Sequence, residues 1–194
     1  MLANGNTTTT VAHYKDAAKR HFRTCEILIK QLDSPQNFRD RDKWHDIDIL
    51  ANIYYLTGYM AECGINYTYL IKKSFVDADN HLDRNNWGSG VDLHKHFRFT
   101  INIARTSSRA VLTEITTGNN ACTLPLYLQK LSGVTNINLT STDATLEDMQ
   151  AKWDPSVRYS YESTGLIFDV NTSKNDIILF YKATKKLLKD FRLI

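Results

Sequence analysis

The chain has 194 residues, of which 42% are hydrophobic and 23% charged, a balance of ordinary globular protein that supports one domain with its own core. Three prolines and eight glycines are few for a β-sandwich and normal for helices. The net charge of +3 permits an acidic partner such as RNA without demanding one.

No apolar run is long enough to span a bilayer, so no membrane partner is expected. The opening MLANGNTTTT lacks the basic and apolar regions of a signal peptide. Cys25, Cys63 and Cys122 are far apart and odd in number, and read as small buried thiols in a reducing compartment. The expected location is cytoplasmic. Asn6, Asn66, Asn138 and Asn171 open N-x-S/T triplets, which without a secretory signal read as chance.

Residues 1–9 read as a loose tail, and 10–194 as a single domain. The first helix is predicted over about residues 10–32. Val11, Tyr14, Ala18, His21, Cys25, Leu28 and Leu32 recur at helical spacing, and Lys15, Lys19, Arg20, Arg23 and Lys30 occupy the opposite face. His21 falls on the apolar seam, where a buried, hydrogen-bonded imidazole is expected. Ser34-Pro35 stops the helix. A charged connection, QNFRDRDKWHD, follows.

The second helix, Ile47–Lys73 or starting a few residues earlier, carries the clearest pattern. Ile49, Ile53, Leu56, Met60, Cys63, Tyr67 and Leu70 form one seam, and Leu50, Thr57, Gly64 and Ile71 run beside it. Glycine inside a helix costs roughly 1 kcal/mol against alanine, so Gly58 and Gly64 predict a helix packed very close. Tyr54, Tyr55, Tyr59, Tyr67 and Tyr69 spread around more than one side. Those off the seam suit a protein interface.

Asp77–Gly90 reads as a loop. A third long helix is expected from about Asp92, on the spacing of Leu93, Phe97, Ile101, Ala104, Val111 and Ile115. TLPLYLQKLSG predicts a short helix with Thr123 as N-cap, Pro125 in the first turn and Gly133 as the stop. Residues 134–142 read as a loop or a short extended piece, and another short helix is expected around Leu146, Met149 and Trp153. The last helix would open with a capping box, Ser173 and Asp176. Its seam is Ile177, Phe180, Thr184, Leu187 and Phe191. Lys182, Lys185, Lys186 and Lys189 make its later turns basic. They suit the helix dipole and are candidate contacts for RNA phosphates. Four long amphipathic segments imply an all-α helical bundle.

Nucleotide-cradling glycine motifs, zinc-protease helices and C-x-x-C pairs are absent from the sequence, so no cofactor is expected. Asp92, His94 and His96 have metal-ligand chemistry, but residues two apart on a helix do not share a face, and no metal is expected. Arg39 and His45 are the one pair suited to metal-free RNA cleavage. Histidine can move the 2′-hydroxyl proton and arginine can hold the phosphate. The plainer reading of the pair is a charged turn between helices.

The phrase YYLTGYMAECGINYTYL resembles the second helix of bacterial HEPN-domain proteins, on Leu56, Gly58, Tyr59 and Glu62, with Asn66 where the family has lysine. GVDLHKHF is similar to a further family segment on Asp92 and Leu93, with Val91 in place of histidine. WDPSVRYSYE is similar to a third, on Trp153, Arg158 and Tyr159. The resemblance covers about residues 10–192 with an insertion around 104–150. It implies an up-and-down bundle, often dimeric, in RNA-directed toxin–antitoxin or antiviral systems, frequently beside a small nucleotidyltransferase. Catalytic members carry an arginine and a histidine with four to six residues between them, a count that Arg39 and His45 meet, although the family places the motif later in the bundle. Two readings follow: an RNA-associated protein, as an endoribonuclease using Arg39 and His45, or a non-catalytic interaction module working through Tyr55, Tyr59, Glu62, Arg158 and Tyr159. The Arg158 guanidinium would tie its loop to a carboxylate such as Glu62.

Overall fold

A computed structural model of the chain describes residues 11–33, 43–72, 124–135, 137–139, 141–153 and 170–194. They form helices α1 (Val11–Asp33), α2 (Lys43–Lys72), α3 (Leu124–Thr135), α4 (Ala144–Ala151) and α5 (Val170–Asp190). The described residues are helical and contain no strand, consistent with the expected all-α class. The helix expected from Asp92 and the tail at 1–9 lie outside the described residues.

Helix α2 is the centre. Its predicted seam is buried at Ile49, Ile53, Met60 and Cys63, and its second line at Leu50, Thr57 and Gly64. Tyr54, Ala61 and Ile65, on neither line, are buried as well. A helix apolar around most of its girth must be covered on several sides, and α1, α3 and α5 all pack on it. The same burial encloses Asn66, which leaves no room for a glycan on its triplet.

The pairings give the directions. The Cys25 Sγ lies 3.9 Å from the Thr57 Oγ1, while nearer the start of α1 Lys15 stands over the ring of Tyr67, 5.6 Å from its centroid. Helices α1 and α2 therefore run antiparallel. Tyr54 packs on Phe180, and Gly64 sits under Leu188, so α5 runs parallel to α2. The predicted seam of α1 is borne out at Tyr14, Ala18, Cys25 and Leu32, all buried. Cys25 and Cys63 are free and buried.

The two helical glycines of α2 answer to different neighbours. A Cβ on Gly64 would meet the Leu188 side chain of α5, the close helix that the sequence predicts. A Cβ on Gly58 would instead run into the indole of Trp153, a residue beyond the end of α4. The Trp153 Nε1 donates to the Tyr55 carbonyl at 3.2 Å, and the Tyr54 hydroxyl donates to the Met149 carbonyl at 2.7 Å. These two bonds fasten α4 and its exit across α2.

Local signals were less exact. Asp143, not a residue singled out by the sequence, caps α4 through its carboxylate, which accepts from the amides of Thr145 and Leu146. Trp153 follows that helix instead of belonging to it. Gly133 does not stop α3, which continues to Thr135, and the hydroxyls of Ser132 and Thr135 bond back to carbonyls one turn earlier. Ser173 is not an N-cap, since it lies inside α5. The far end of α5 closes with Arg192 at φ 56°, its amide bonded to the Lys189 carbonyl and that of Leu193 to the Leu188 carbonyl. This Schellman closure turns Leu193 into the core.

Gly58→Ala gains about 1 kcal/mol of helix propensity but must displace a hydrogen-bonded indole, which costs about 1–3 kcal/mol. A net loss of stability in urea unfolding, with a shifted tryptophan emission, is the expected outcome. A more stable variant with unchanged emission would contradict the packing described.

Candidate nucleic-acid interface

The basic faces of α1 and α5, far apart in sequence, meet along one edge of the molecule. Asp33 pairs with Lys174 at 2.8 Å, and seven residues earlier Glu26 receives Lys185 at 2.8 Å. The helices are therefore antiparallel along this edge. Lys19, Arg23, Glu26 and Lys30 share a stripe of α1, and Lys182, Lys185 and Lys189 share a stripe of α5. Arg23 and Lys30 flank Glu26 on α1, and Lys182 and Lys189 flank Lys185 on α5. Arg23, Lys30, Lys182 and Lys189 are exposed. Together α1 and α5 carry ten lysines and arginines against five aspartates and glutamates. Their surplus exceeds the net +3 of the whole chain, so the remaining sequence is net acidic and the positive charge is gathered here.

Glu26 is the keystone of the edge. Its carboxylate accepts from Lys185 and from the Tyr181 hydroxyl. The Lys185 and Tyr181 hydrogen bonds hold its pKa below the usual carboxylate range, and the charge of Lys30 adds to the effect. The Tyr181 hydroxyl is pushed up by burial and by that carboxylate. Lys185 also lies over the rings of Phe22 and Tyr181, 5.2 and 5.7 Å from their centroids, and these two rings stack. Of the four predicted RNA-contacting lysines, Lys185 is thus engaged within the fold. Lys186 is paired with Asp190 at 2.5 Å. Lys182 and Lys189 are exposed and form no ion pair among the described residues.

The other predicted site residues separate. Tyr55 and Tyr59 meet edge to face at 4.9 Å. Tyr59 also meets Trp153 at 5.2 Å and the ring of His21 at 5.8 Å. His21 is half-buried, and among the described residues its partner is this ring contact and not the hydrogen bond that its seam position predicted. Burial and the neighbouring Arg20 lower its pKa. Glu62, one turn beyond Tyr59, is pushed up to about 7 by burial. Cys63 is pushed up to about 12 by burial and the Glu62 charge, which makes it an inert thiol at neutral pH. This aromatic and acidic cluster is half-buried. Arg39, Arg158 and Tyr159 lie outside the described residues, as do Asp92, His94, His96 and Cys122. His45 falls in the first turn of α2, with no description of its side chain. Among the described residues no group of side chains could hold a metal ion, and no helix is long and apolar enough to cross a membrane.

The sequence displayed both basic faces but not their adjacency, for which Glu26 was the missing signal. A lone carboxylate in the middle of a basic stripe marks the place where a lysine from another element docks. No family model, no curated protein and no solved structure matches the chain.

Because Glu26 has a depressed folded pKa, its contribution to stability is present above its unfolded value and fades as pH falls through the folded one. Glu26 is about 35% exposed, so solvent screening holds the contribution to about 1 kcal/mol. Glu26→Gln is expected to unfold at lower urea than the wild type at neutral pH, and the two are expected to converge in strong acid. An equal gap at both pH values would show that Glu26 acts by shape and not by charge.

Proposed function

We propose that this chain is an RNA-associated helical protein of the HEPN kind, of a bacterial toxin–antitoxin or antiviral system, that meets RNA with the joined edge of α1 and α5. The observation that supports this reading is the docking of the two basic stripes about Glu26. It gathers more positive charge on one edge than the whole chain carries in net. Phosphates can bind such an edge without sequence preference, by releasing counterions. Arg39 and His45 remain the proposed pair for metal-independent cleavage, with Arg39 holding phosphate and His45 moving the proton. A non-catalytic module that pairs with itself or with a nucleotidyltransferase is the second reading. The half-buried rings of Tyr55 and Tyr59 beside Glu62 favour it, since tyrosine is enriched at protein interfaces.

Fluorescence anisotropy with a labelled single-stranded RNA tests the first reading. Binding should weaken steeply with salt, by about −0.7 in log–log slope per phosphate contact. Lys182→Glu with Lys189→Glu should lower affinity at least about tenfold and flatten that slope, because neither side chain is held in an ion pair among the described residues. A folded double variant that binds as the wild type does would overturn the assignment. In chelator, cutting of RNA that is lost in folded His45→Ala would make the protein a nuclease. Binding without cutting would leave an RNA-associated module.

A further inference from the structure

We propose that a cavity walled by α3, α4 and α5 against α2 binds a small, neutral, mainly apolar molecule carrying one hydrogen-bonding group. The cavity measures about 220 Å³ and is distinct from the basic edge. Leu124 and Leu128 of α3, Leu146 of α4 and Leu187 of α5 supply its apolar wall. Two polar residues are set into that wall. Gln150 is 7% exposed and Thr184 3%, and both line the cavity. Neither side chain has a hydrogen-bond partner among the described residues. Their polar atoms border the cavity and stay open to water, so a guest that displaces that water must offer a hydrogen bond in its place.

The opening defines the charge and size of the guest. Asn138 and the Lys186–Asp190 ion pair stand at its rim, so the mouth is neutral in sum. That leaves no net charge at the mouth to draw in a charged guest. Ile137, 42% exposed, adds an apolar lip. Drug-sized ligands occupy about 300–1,000 Å³, while an engineered apolar cavity of about 150 Å³ holds benzene. The present volume therefore suits a molecule somewhat larger than benzene, such as a fused bicycle. The Gln150 amide both donates and accepts, and so does the Thr184 hydroxyl. A guest with a single N–H or O–H can donate to the Gln150 Oε1 or the Thr184 Oγ1 and present an otherwise apolar surface to the leucines.

Indole and indene, which share shape and size while only indole has an N–H, separate the proposal from a cavity filled by water alone. The full chain, labelled with ¹⁵N, is titrated with each. Indole is expected to bind at millimolar concentration or below, with shifts centred on Leu128, Gln150 and Thr184. Indene is expected to bind about tenfold more weakly. Gln150→Leu should abolish the preference, and Ala183→Leu, which fills the space, should abolish both bindings. If Gln150→Leu does not fold, the comparison of the two ligands on the wild type decides alone. Equal binding of both ligands, shifts elsewhere in the molecule, or no binding at millimolar concentration would overturn the assignment.

Discussion

Helix α2 cannot remain exposed on any broad face, and the arrangement of its neighbours follows from that constraint. Its buried positions, Ile49 through Ile65, are distributed around the helix instead of along one stripe. One partner helix covers at most one such stripe. Helix α1 takes one side antiparallel, α5 another side in parallel, and α3 with α4 fill the remainder. The two glycines mark where the cover comes closest: Leu188 over Gly64 and the Trp153 indole over Gly58.

Covering one helix from two sides brings the edges of the covering helices together. The meeting of α1 and α5 would place basic stripes side by side, which is unfavourable unless a counter-charge lies between them. Glu26 supplies that charge. Lys185 is drawn onto it and packed over Phe22 and Tyr181, while Lys182, Lys189, Arg23 and Lys30 stay turned to solvent. The edge is therefore stable in the fold and still strongly positive outside. The Tyr59–Glu62 cluster is of the opposite kind. It is half-buried, and its carboxyl is held near neutrality by burial.

Helical periodicity made the long elements legible in the sequence. The seams of α1, α2 and α5 fall where their 3–4 spacings put them, because a long amphipathic helix repeats its signal over many turns. Single-residue punctuation was less legible. Gly133 and Ser173 carry the chemistry of helix ends, but α3 runs past the glycine to Thr135 and α5 already begins at Val170. Gly58 was read as a helix contact and proves to be an indole contact, since a bare glycine shows that something comes close and not what comes. The cavity was not visible in advance. Gln150 and Thr184 are unremarkable letters until three helices place them on one wall.

The central claim is that Glu26 holds the two basic stripes together while subtracting from their charge, and RNA affinity of Glu26→Gln tests it most directly. The account predicts a folded variant of lower stability that binds single-stranded RNA severalfold more tightly at low salt, the difference shrinking as salt rises. Unchanged or weaker RNA binding by a folded Glu26→Gln protein would contradict it, and would place any contact with RNA on another surface.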